Sequence, residues 1–160
     1  MLLKLAEELR LDAAPEEVWK ILRDTPRLTG LVPGVEDVTA LAGQSAEAYR
    51  AKARDKIGPF KIAMDLEVRV SEVREPSPAG QALLIASVKG LDSSGGNRVS
   101  GSLEIALNPA SSGTRLRFEA SIEILGKLAT LGAIPIRRRT TQMFAEFARN
   151  IEGQFAPESL

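Results

Sequence analysis

The stretch Gly126–Phe155, GKLATLGAIPIRRRTTQMFAEFARNIEGQF, decides the fold. From Pro135 onward, apolar residues recur at the spacings that place side chains on one face of an α-helix. These residues are Ile136, Met143, Phe144, Phe147, Ile151 and Phe155. Proline is tolerated in the first turn of a helix but interrupts a helix already under way. The pattern therefore predicts a short helical turn at Lys127–Leu131, a break at Gly132–Pro135 and then a long amphipathic helix.

Most of the chain before this helix has the alternating pattern of half-buried strands. The clearest example is Phe60–Val70, where apolar and polar residues alternate almost without exception. The first strand alternates in the same way around its leucines, and we expect a bulge at Ala6–Glu7, where the alternation fails. Polar turns are expected at 43–45 and 92–97.

Two short helices are predicted between the first and second strands. Pro15, followed by two glutamates, marks the start of the first helix. Thr25 is the expected cap of a second helix at Pro26–Leu31. The predicted order is thus one strand, two short helices, six strands joined by short turns, and the long helix. This order predicts one α+β domain over residues 1–160, with a seven-stranded antiparallel sheet wrapped around the C-terminal helix.

Composition narrows the classes of function. The 160 residues carry no net charge and contain neither histidine nor cysteine. The absence of these residues removes disulfides, thiolate nucleophiles and the commonest metal ligand and general base. No signal-peptide pattern and no apolar run of membrane-spanning length is present. The expectation is a cytoplasmic protein that does not bind nucleic acid.

The remaining candidates for chemistry are carboxylates, and these lie on the polar phase of the strands. Asp65, Glu67, Glu119 and Glu123 should all face solvent. We see no cluster suited to a metal and no glycine-rich phosphate loop. A non-catalytic protein without a resident cofactor or metal is therefore expected.

A cavity between the sheet and the long helix is the expected binding site. The inward strand positions are apolar, and small residues at Ala51, Ala53 and Ala120 would leave space among large ones. A fully packed core is the alternative, and for Trp19 the alternative is a role as a core anchor. The predicted lining comprises Trp19, Leu31, Tyr49, Met64, Leu66, Val68, Leu103, Ile105, Phe118, Ala120, Ile122, Leu131, Met143, Phe144 and Phe147.

Arg137, Arg138 and Arg139 form the densest basic run. Consecutive residues point in different directions around a helix, so the three cannot form one face. Solubility and capping contacts are one interpretation. The other is docking to anionic lipid headgroups or to an acidic partner surface, beside the apolar turn at Leu131–Ile136.

Four segments, taken together in this order, resemble the CoxG family of carbon monoxide dehydrogenase subunits, which belongs to the START-like, helix-grip (SRPBCC) superfamily. They are Ala14–Trp19 (APEEVW), Val32–Glu36 (VPGVE), Lys56–Phe60 (KIGPF) and Gly126–Gly132 (GKLATLG). The first is shared across the superfamily, whereas the combination of the other three is more specific. The resemblance covers nearly the whole chain.

The resemblance implies a helix-grip fold with a ligand cavity. It also implies a partner, a carbon monoxide dehydrogenase-type molybdenum hydroxylase, and a hydrophobic ligand such as a quinone or another lipid. The protein would help that enzyme associate with the inner face of the cell membrane. Two alternatives remain open at this point. One is a polyketide cyclase or hydratase-like enzyme on the same fold, with an inward polar cluster of Tyr49 with Asn97 or Arg98. The other is a docking subunit without a ligand.

Overall fold

The computed structural model of the protein describes residues 1–43, 47–92 and 96–155. Seven strands, three α-helices and one 3-10 helix follow one another in the predicted order. Their bounds are β1 (Leu2–Leu11), α1 (Pro15–Arg23), α2 (Thr25–Gly30), β2 (Val35–Ala40), β3 (Ala48–Ile57), β4 (Phe60–Arg74), β5 (Ala82–Leu91), β6 (Arg98–Pro109), β7 (Thr114–Leu125), the 3-10 helix (Lys127–Leu131) and α3 (Ala133–Gly153). The predicted turns at 43–45 and 92–97 lie partly outside the described residues.

The strands form one antiparallel sheet in the order β1-β7-β6-β5-β4-β3-β2. Each strand from β2 to β6 is paired with the next strand in sequence, as short connections require. The first strand instead pairs with the last, in a register that joins Leu2 to Glu123 and Leu11 to Thr114. The predicted fold class, a seven-stranded antiparallel sheet with a long C-terminal helix and two short helices after β1, is confirmed.

The strand β1 has no bulge, so this part of the sequence prediction is wrong. Its register against β7 runs without a shift from Leu2 to Leu11. Successive side chains of a regular strand point to opposite faces. Glu7 therefore faces the same side of the sheet as Leu5 and Leu9, toward the interior.

Two details of the helices also differ from prediction. The side chain of Asp24, not Thr25, caps α2 and accepts a hydrogen bond from the backbone N–H of Arg27 at 3.2 Å. Asp24 occupies the capping position because Thr25 is already the first residue of the helix. The long helix begins at Ala133 rather than Pro135. Pro135 then lies in the first turn, where a backbone N–H has no partner in the helix and its loss costs little.

The 3-10 helix at Lys127–Leu131 agrees with the predicted short turn. Gly132 separates it from α3 with a φ of 80°. This left-handed conformation is accessible to glycine without strain, so the chain can change direction sharply between the two helices.

The interior consists of two apolar clusters rather than one. The first lies beneath α1, α2 and the C-terminal half of α3 and includes Leu11, Leu22, Leu116 and Ile151. The second lies beneath the 3-10 helix and the start of α3 and includes Leu3, Met64, Leu128 and Ile136. Each end of the sheet is thus covered by its own helices.

Candidate ligand site between the sheet and the long helix

Three phenylalanines join α3 to the sheet at the edge of the first cluster. The ring of Phe118 on β7 makes edge contacts with the rings of Phe144 and Phe147, with centroids 5.3 and 5.7 Å apart. Edge-to-face aromatic pairs add about 0.5–1.5 kcal/mol to the stabilisation from burial. Phe118 and Phe147 are buried, whereas Phe144 is only half-buried. The contact therefore marks where the packed core ends.

Between the two clusters, several inward side chains of the sheet are half-buried, although others in the same rows, such as Ala86, are buried. We call the half-buried set the inner band; it consists of Leu5, Glu7, Leu66, Leu103, Ala120 and Ile122. Inward neighbours on both sides of the band, such as Leu3 and Leu9 on β1, are buried. Solvent therefore reaches the middle of the inward face although both ends of that face are covered.

The predicted cavity residues divide between the two clusters and the inner band. Those that are buried are Trp19, Met64, Val68, Ile105, Phe118 and Phe147. Those that are half-buried are Leu31, Tyr49, Leu66, Leu103, Ala120, Ile122, Leu131, Met143 and Phe144. The first cluster contacts Leu31, Leu103 and Phe144, and the second contacts Leu66, Ile122 and Leu131. The structure thus brings most of them to the inward face, in two groups that meet at the inner band.

Trp19 is positioned as an anchor of the first cluster. Its side chain is 8% exposed, and its indole N–H donates a hydrogen bond of 2.7 Å to a carboxylate oxygen of Glu75. The neighbouring Arg23 binds both carboxylate oxygens of Glu47, at 2.7 and 3.2 Å. These hydrogen bonds raise the pKa of Arg23 against the opposing effect of burial. Together they fasten α1 to the start of β3 and the end of β4.

The polar cluster expected for an enzyme, Tyr49 with Asn97 or Arg98, does not form. Arg98 is exposed on the outer face of the sheet, opposite to the face of Tyr49. Asn97 is buried, and its side-chain oxygen accepts a hydrogen bond of 2.9 Å from the backbone N–H of Leu128. Its amide nitrogen donates to Asp92 at 3.2 Å. Asn97 is therefore a structural residue that holds the start of the 3-10 helix.

The three consecutive arginines point to three different places, as the helical geometry predicts. Arg137 donates a hydrogen bond of 2.9 Å to the backbone carbonyl of Lys4 on β1. Arg139 binds both carboxylate oxygens of Asp55 on β3, at 3.0 and 3.1 Å. The hydrogen bonds to Asp55 raise the pKa of Arg139. Arg138 is exposed and has no hydrogen bond or ion pair to any residue that the structure describes.

Sequence reasoning assigned nearly all carboxylates to the outer face, and two of them are exceptions. Asp65 and Glu119 are exposed on that face as predicted, but Glu7 and Asp55 occupy the inward phase of β1 and β3. Asp55 is paired with Arg139. For Glu7 the strict alternation of β1 was the available signal, and the expected bulge concealed it.

Two grooves are lined mainly by outward side chains of the sheet, but members of the inner band also border them, Leu66 in one and Leu5, Leu103 and Ala120 in the other. The larger, of ≈ 1020 Å³, is lined mainly by outward side chains of β3 to β6, among them Lys52, Asp65 and Lys89. The smaller, of ≈ 520 Å³, runs over β1, β7 and β6 beside Lys4 and Glu104. Charges of both signs line the larger groove, which makes it a poor match for an apolar ligand.

Within residues 1–43, 47–92 and 96–155, no three acidic side chains approach closely enough to bind a metal ion. None of the helices in the same ranges is both long and apolar enough to cross a bilayer.

Solved structures similar to this chain share its fold. A conserved protein from Geobacillus kaustophilus matches with 24% identity and a TM-score of 0.69, over 96% of this chain and 94% of that chain. Ara h 8.0201 matches with 13% identity and a TM-score of 0.64, over 96% and 97%. The di-domain ARO/CYC StfQ from the steffimycin biosynthetic pathway matches with 12% identity and a TM-score of 0.61, over 96% and 50%. At these identities the similarity shows the helix-grip fold alone.

Sequence comparison adds the family. No curated protein matches the chain significantly. The family model for CoxG, a subunit of carbon monoxide dehydrogenase, matches residues 8–156, nearly the whole of the described fold. The protein is therefore a member of the CoxG family of carbon monoxide dehydrogenase subunits.

Proposed function

We propose that this protein is a non-catalytic carrier that binds a hydrophobic molecule, a quinone or another lipid, between the sheet and α3. It would serve a carbon monoxide dehydrogenase-type molybdenum enzyme at the inner face of the cell membrane. The observation that carries the proposal is the inner band. Its apolar side chains face the long helix and yet remain half-exposed between two buried clusters.

The inner band has the composition of a site for an apolar ligand. Leu5, Leu66, Leu103 and Ile122 contribute aliphatic surface, and Ala120 leaves room among them. A ligand that covered these side chains would gain roughly 25 cal/mol for each Å² of apolar surface removed from water. Because that surface is already organised by the sheet, little conformational entropy would be lost on binding.

Membership of the family supports the proposed partner, since the family is described as a subunit of carbon monoxide dehydrogenase. A membrane role is supported by where the exposed apolar residues lie. The large hydrophobic residues found exposed in the described chain are Leu2, Leu91, Leu125 and Ile134, with 47–74% of their surface accessible. The register places the start of β1 and the ends of β7 and β5 at the same end of the sheet, and the 3-10 helix links Leu125 to the start of α3.

All four residues thus lie at one end of the molecule, which we call the docking end. Exposed basic side chains at this end include Arg98, Lys127 and Arg138. Apolar side chains beside cations are suited to an interface with anionic lipid headgroups. We propose that the docking end contacts the membrane when the carrier exchanges its ligand.

The ligand site can be tested by placing a large side chain in the inner band. Ala120→Phe adds a ring to the inner band, whereas Ala6→Phe adds the same ring to an exposed, outward position of the adjacent strand. Each protein would be incubated with a long-chain quinone, desalted and extracted, and the bound quinone quantified by mass spectrometry. We expect the wild type and Ala6→Phe to retain the quinone and Ala120→Phe to lose most of it.

Equal retention by both variants would contradict the assignment of the site. If the wild type retains neither this quinone nor a fatty acid that is incubated and extracted in the same way, the carrier function is wrong. A docking subunit without a ligand would then be the better description. Far-UV circular dichroism and urea denaturation of each variant establish that the comparison is between folded proteins.

A further inference from the structure

Glu7 is a charged residue in the middle of an apolar surface. The uninterrupted pairing of β1 with β7 places it inward, between Leu5 and Leu9. Leu9 belongs to the first core cluster and Leu5 packs against the second. Glu7 therefore lies in the gap between the two clusters, which is the inner band.

The surroundings of Glu7 on the inward face are apolar. Its partner across the strand pair is Phe118, whose ring contacts Phe144 of α3. Directly opposed residues on one face of an antiparallel pair have Cβ atoms about 4.5–5.5 Å apart, so the base of the Glu7 side chain lies next to Phe118. The same transverse row continues with Ile105 and Leu84, both buried.

No cation in the described residues compensates Glu7. It makes no hydrogen bond or ion pair within residues 1–43, 47–92 and 96–155. The inward carboxylate of Asp55 is different, because Arg139 binds it. Among the cations of α3, Arg137 donates to the carbonyl of Lys4, and Arg138 is exposed. Glu7 remains half-buried, so its oxygens are accessible to water.

A ligand in the inner band must displace some of this water. An ionised carboxylate accepts hydrogen bonds and donates none. An apolar group or a carbonyl placed against it would leave its oxygens without partners, which is costly in an apolar environment. A hydroxyl or an ammonium group would replace the lost water with a hydrogen bond to a charged acceptor, which is stronger than one between neutral groups.

We infer that Glu7 selects ligands whose polar head donates a hydrogen bond, with the head bound at Glu7 and the apolar part along the inner band. This inference rests on the proposed carrier function and specifies the chemistry of its ligand. For the quinone class it means that the reduced form, which carries two hydroxyl groups, binds more tightly than the oxidised form, which carries two carbonyls.

The inference can be tested with probes that share one chain and differ in the head. The protein would be incubated with equimolar hexadecan-1-ol and 1-methoxyhexadecane, desalted and extracted, and the bound ratio measured by mass spectrometry. Hexadecylamine against the same ether is the second pair and separates hydroxyl from ammonium recognition. We expect the wild type to favour at least one donor head over the ether about tenfold, the effect of a single hydrogen bond to a charged group.

Two variants and a matched control assign the preference to Glu7. Glu7→Leu should reduce the ratio to about twofold or less and increase binding of the ether, because a leucine favours apolar contact. Glu7→Gln keeps the shape of the side chain and folds in the event that Glu7→Leu does not; it should weaken the preference for the ammonium head most. Glu8→Leu changes the neighbouring outward residue, which is exposed, and should keep the wild-type ratios.

The outcomes separate this inference from the carrier function. Binding of alcohol, amine and ether with equal affinity to the wild type overturns the role of Glu7 and leaves the carrier function standing. A strong preference that survives in both Glu7 variants has the same consequence. If the wild type retains none of the three probes, the carrier function itself fails, and this inference fails with it.

Discussion

The two ends of the sheet are covered in different ways. At one end, which we call the capped end, α1, α2 and the last turns of α3 close over the first cluster. Hydrogen bonds link these helices, from Arg27 to Gln154 and from Asn150 to the carbonyl of Leu31. At the docking end a single 3-10 helix and the start of α3 cover the second cluster, and large apolar side chains remain exposed.

Under the proposed function, this difference places most of the stabilisation from burial at one end and the membrane contact at the other. Residues of the capped end such as Leu22, Leu107 and Leu116 are 0% exposed, so the stabilisation from burial is concentrated there. The second cluster, at the docking end, has fewer buried residues, and Leu2, Leu91, Leu125 and Ile134 remain exposed there. In the proposed function these exposed side chains are the surface that contacts the membrane. Regions that open for binding are generally the less stable parts of a fold.

The largest effect should come from truncating a leucine at the capped end. Leu22→Ala removes a fully buried side chain of α1 and should lower the free energy of unfolding by about 2–5 kcal/mol. Leu131→Ala makes the same change in the half-buried 3-10 helix of the docking end, and about 1 kcal/mol is expected. Urea denaturation measures both values. Equal losses would contradict the proposed difference between the two ends.

A buried amide should be the most sensitive polar group of the docking end. Asn97→Asp replaces the N–H donor to Asp92 with a second carboxylate at a position only 5% exposed. We expect a loss of about 1–3 kcal/mol, because the N–H donor is removed and a second carboxyl group is placed beside Asp92 in a buried site. Asn150→Asp makes the same exchange on the exposed surface of the capped end and should cost less than about 1 kcal/mol. Similar losses of stability in the two variants would show that the burial of Asn97 does not increase the cost of removing its N–H donor.

The sequence predicted the parts of this structure that follow from local periodicity. Alternation identified the strands, and the 3.6-residue period with Gly132 and Pro135 identified the last helices. The local sequence pattern could not decide which face of the sheet Glu7 occupies. A bulge would have kept its charge in water, and only the pairing of β1 with β7 shows that the register is regular.

Asn97 shows the same limit in another way. It is the last residue of the polar turn predicted at 92–97, yet its side-chain oxygen accepts a hydrogen bond from the backbone N–H of Leu128, 31 residues later. The arginine run was predicted to diverge, but not which strands Arg137 and Arg139 would reach. Contacts between distant segments decide the candidate site, and no spacing within one segment encodes them.

Breaking one ion pair at each end compares how much such pairs contribute to the stability of the two ends. Asp55→Asn removes the carboxylate bound by Arg139 at the docking end, where the side chains are 17% and 26% exposed. About 1–2 kcal/mol should be lost, which is the lower part of the range for hydrogen bonds to charged groups because both side chains keep some contact with water. Glu47→Gln breaks the pair with Arg23 at the capped end, where exposure is greater at 37% and 27%, and should cost less.

The pKa of Arg139 determines how the stability difference between the wild type and Asp55→Asn depends on pH. Hydrogen bonding to Asp55 raises the pKa of Arg139 above its value in the unfolded chain. The contribution of Arg139 is then complete at every pH below the unfolded pKa and is lost only as the pH rises through the higher folded pKa. The difference in stability between wild type and Asp55→Asn should therefore stay constant between about pH 6 and pH 10. A decrease within this range, measured by urea denaturation at several pH values, would contradict the assignment.

The smallest effect on stability should accompany a clear effect on membrane binding. Arg138 and Arg149 are both exposed on α3, but Arg138 lies at the docking end and Arg149 near the capped end. Each replacement by glutamine should change the free energy of unfolding by less than about 0.5 kcal/mol. A cation at an anionic membrane surface contributes about 1 kcal/mol, so Arg138→Gln should weaken binding to vesicles containing phosphatidylserine about fivefold. Arg149→Gln should bind as the wild type does, because its position is remote from the proposed interface. Equal weakening in the two variants would mean that net charge alone drives the association with the vesicles. The assignment of the docking end as the membrane-binding surface would then be wrong.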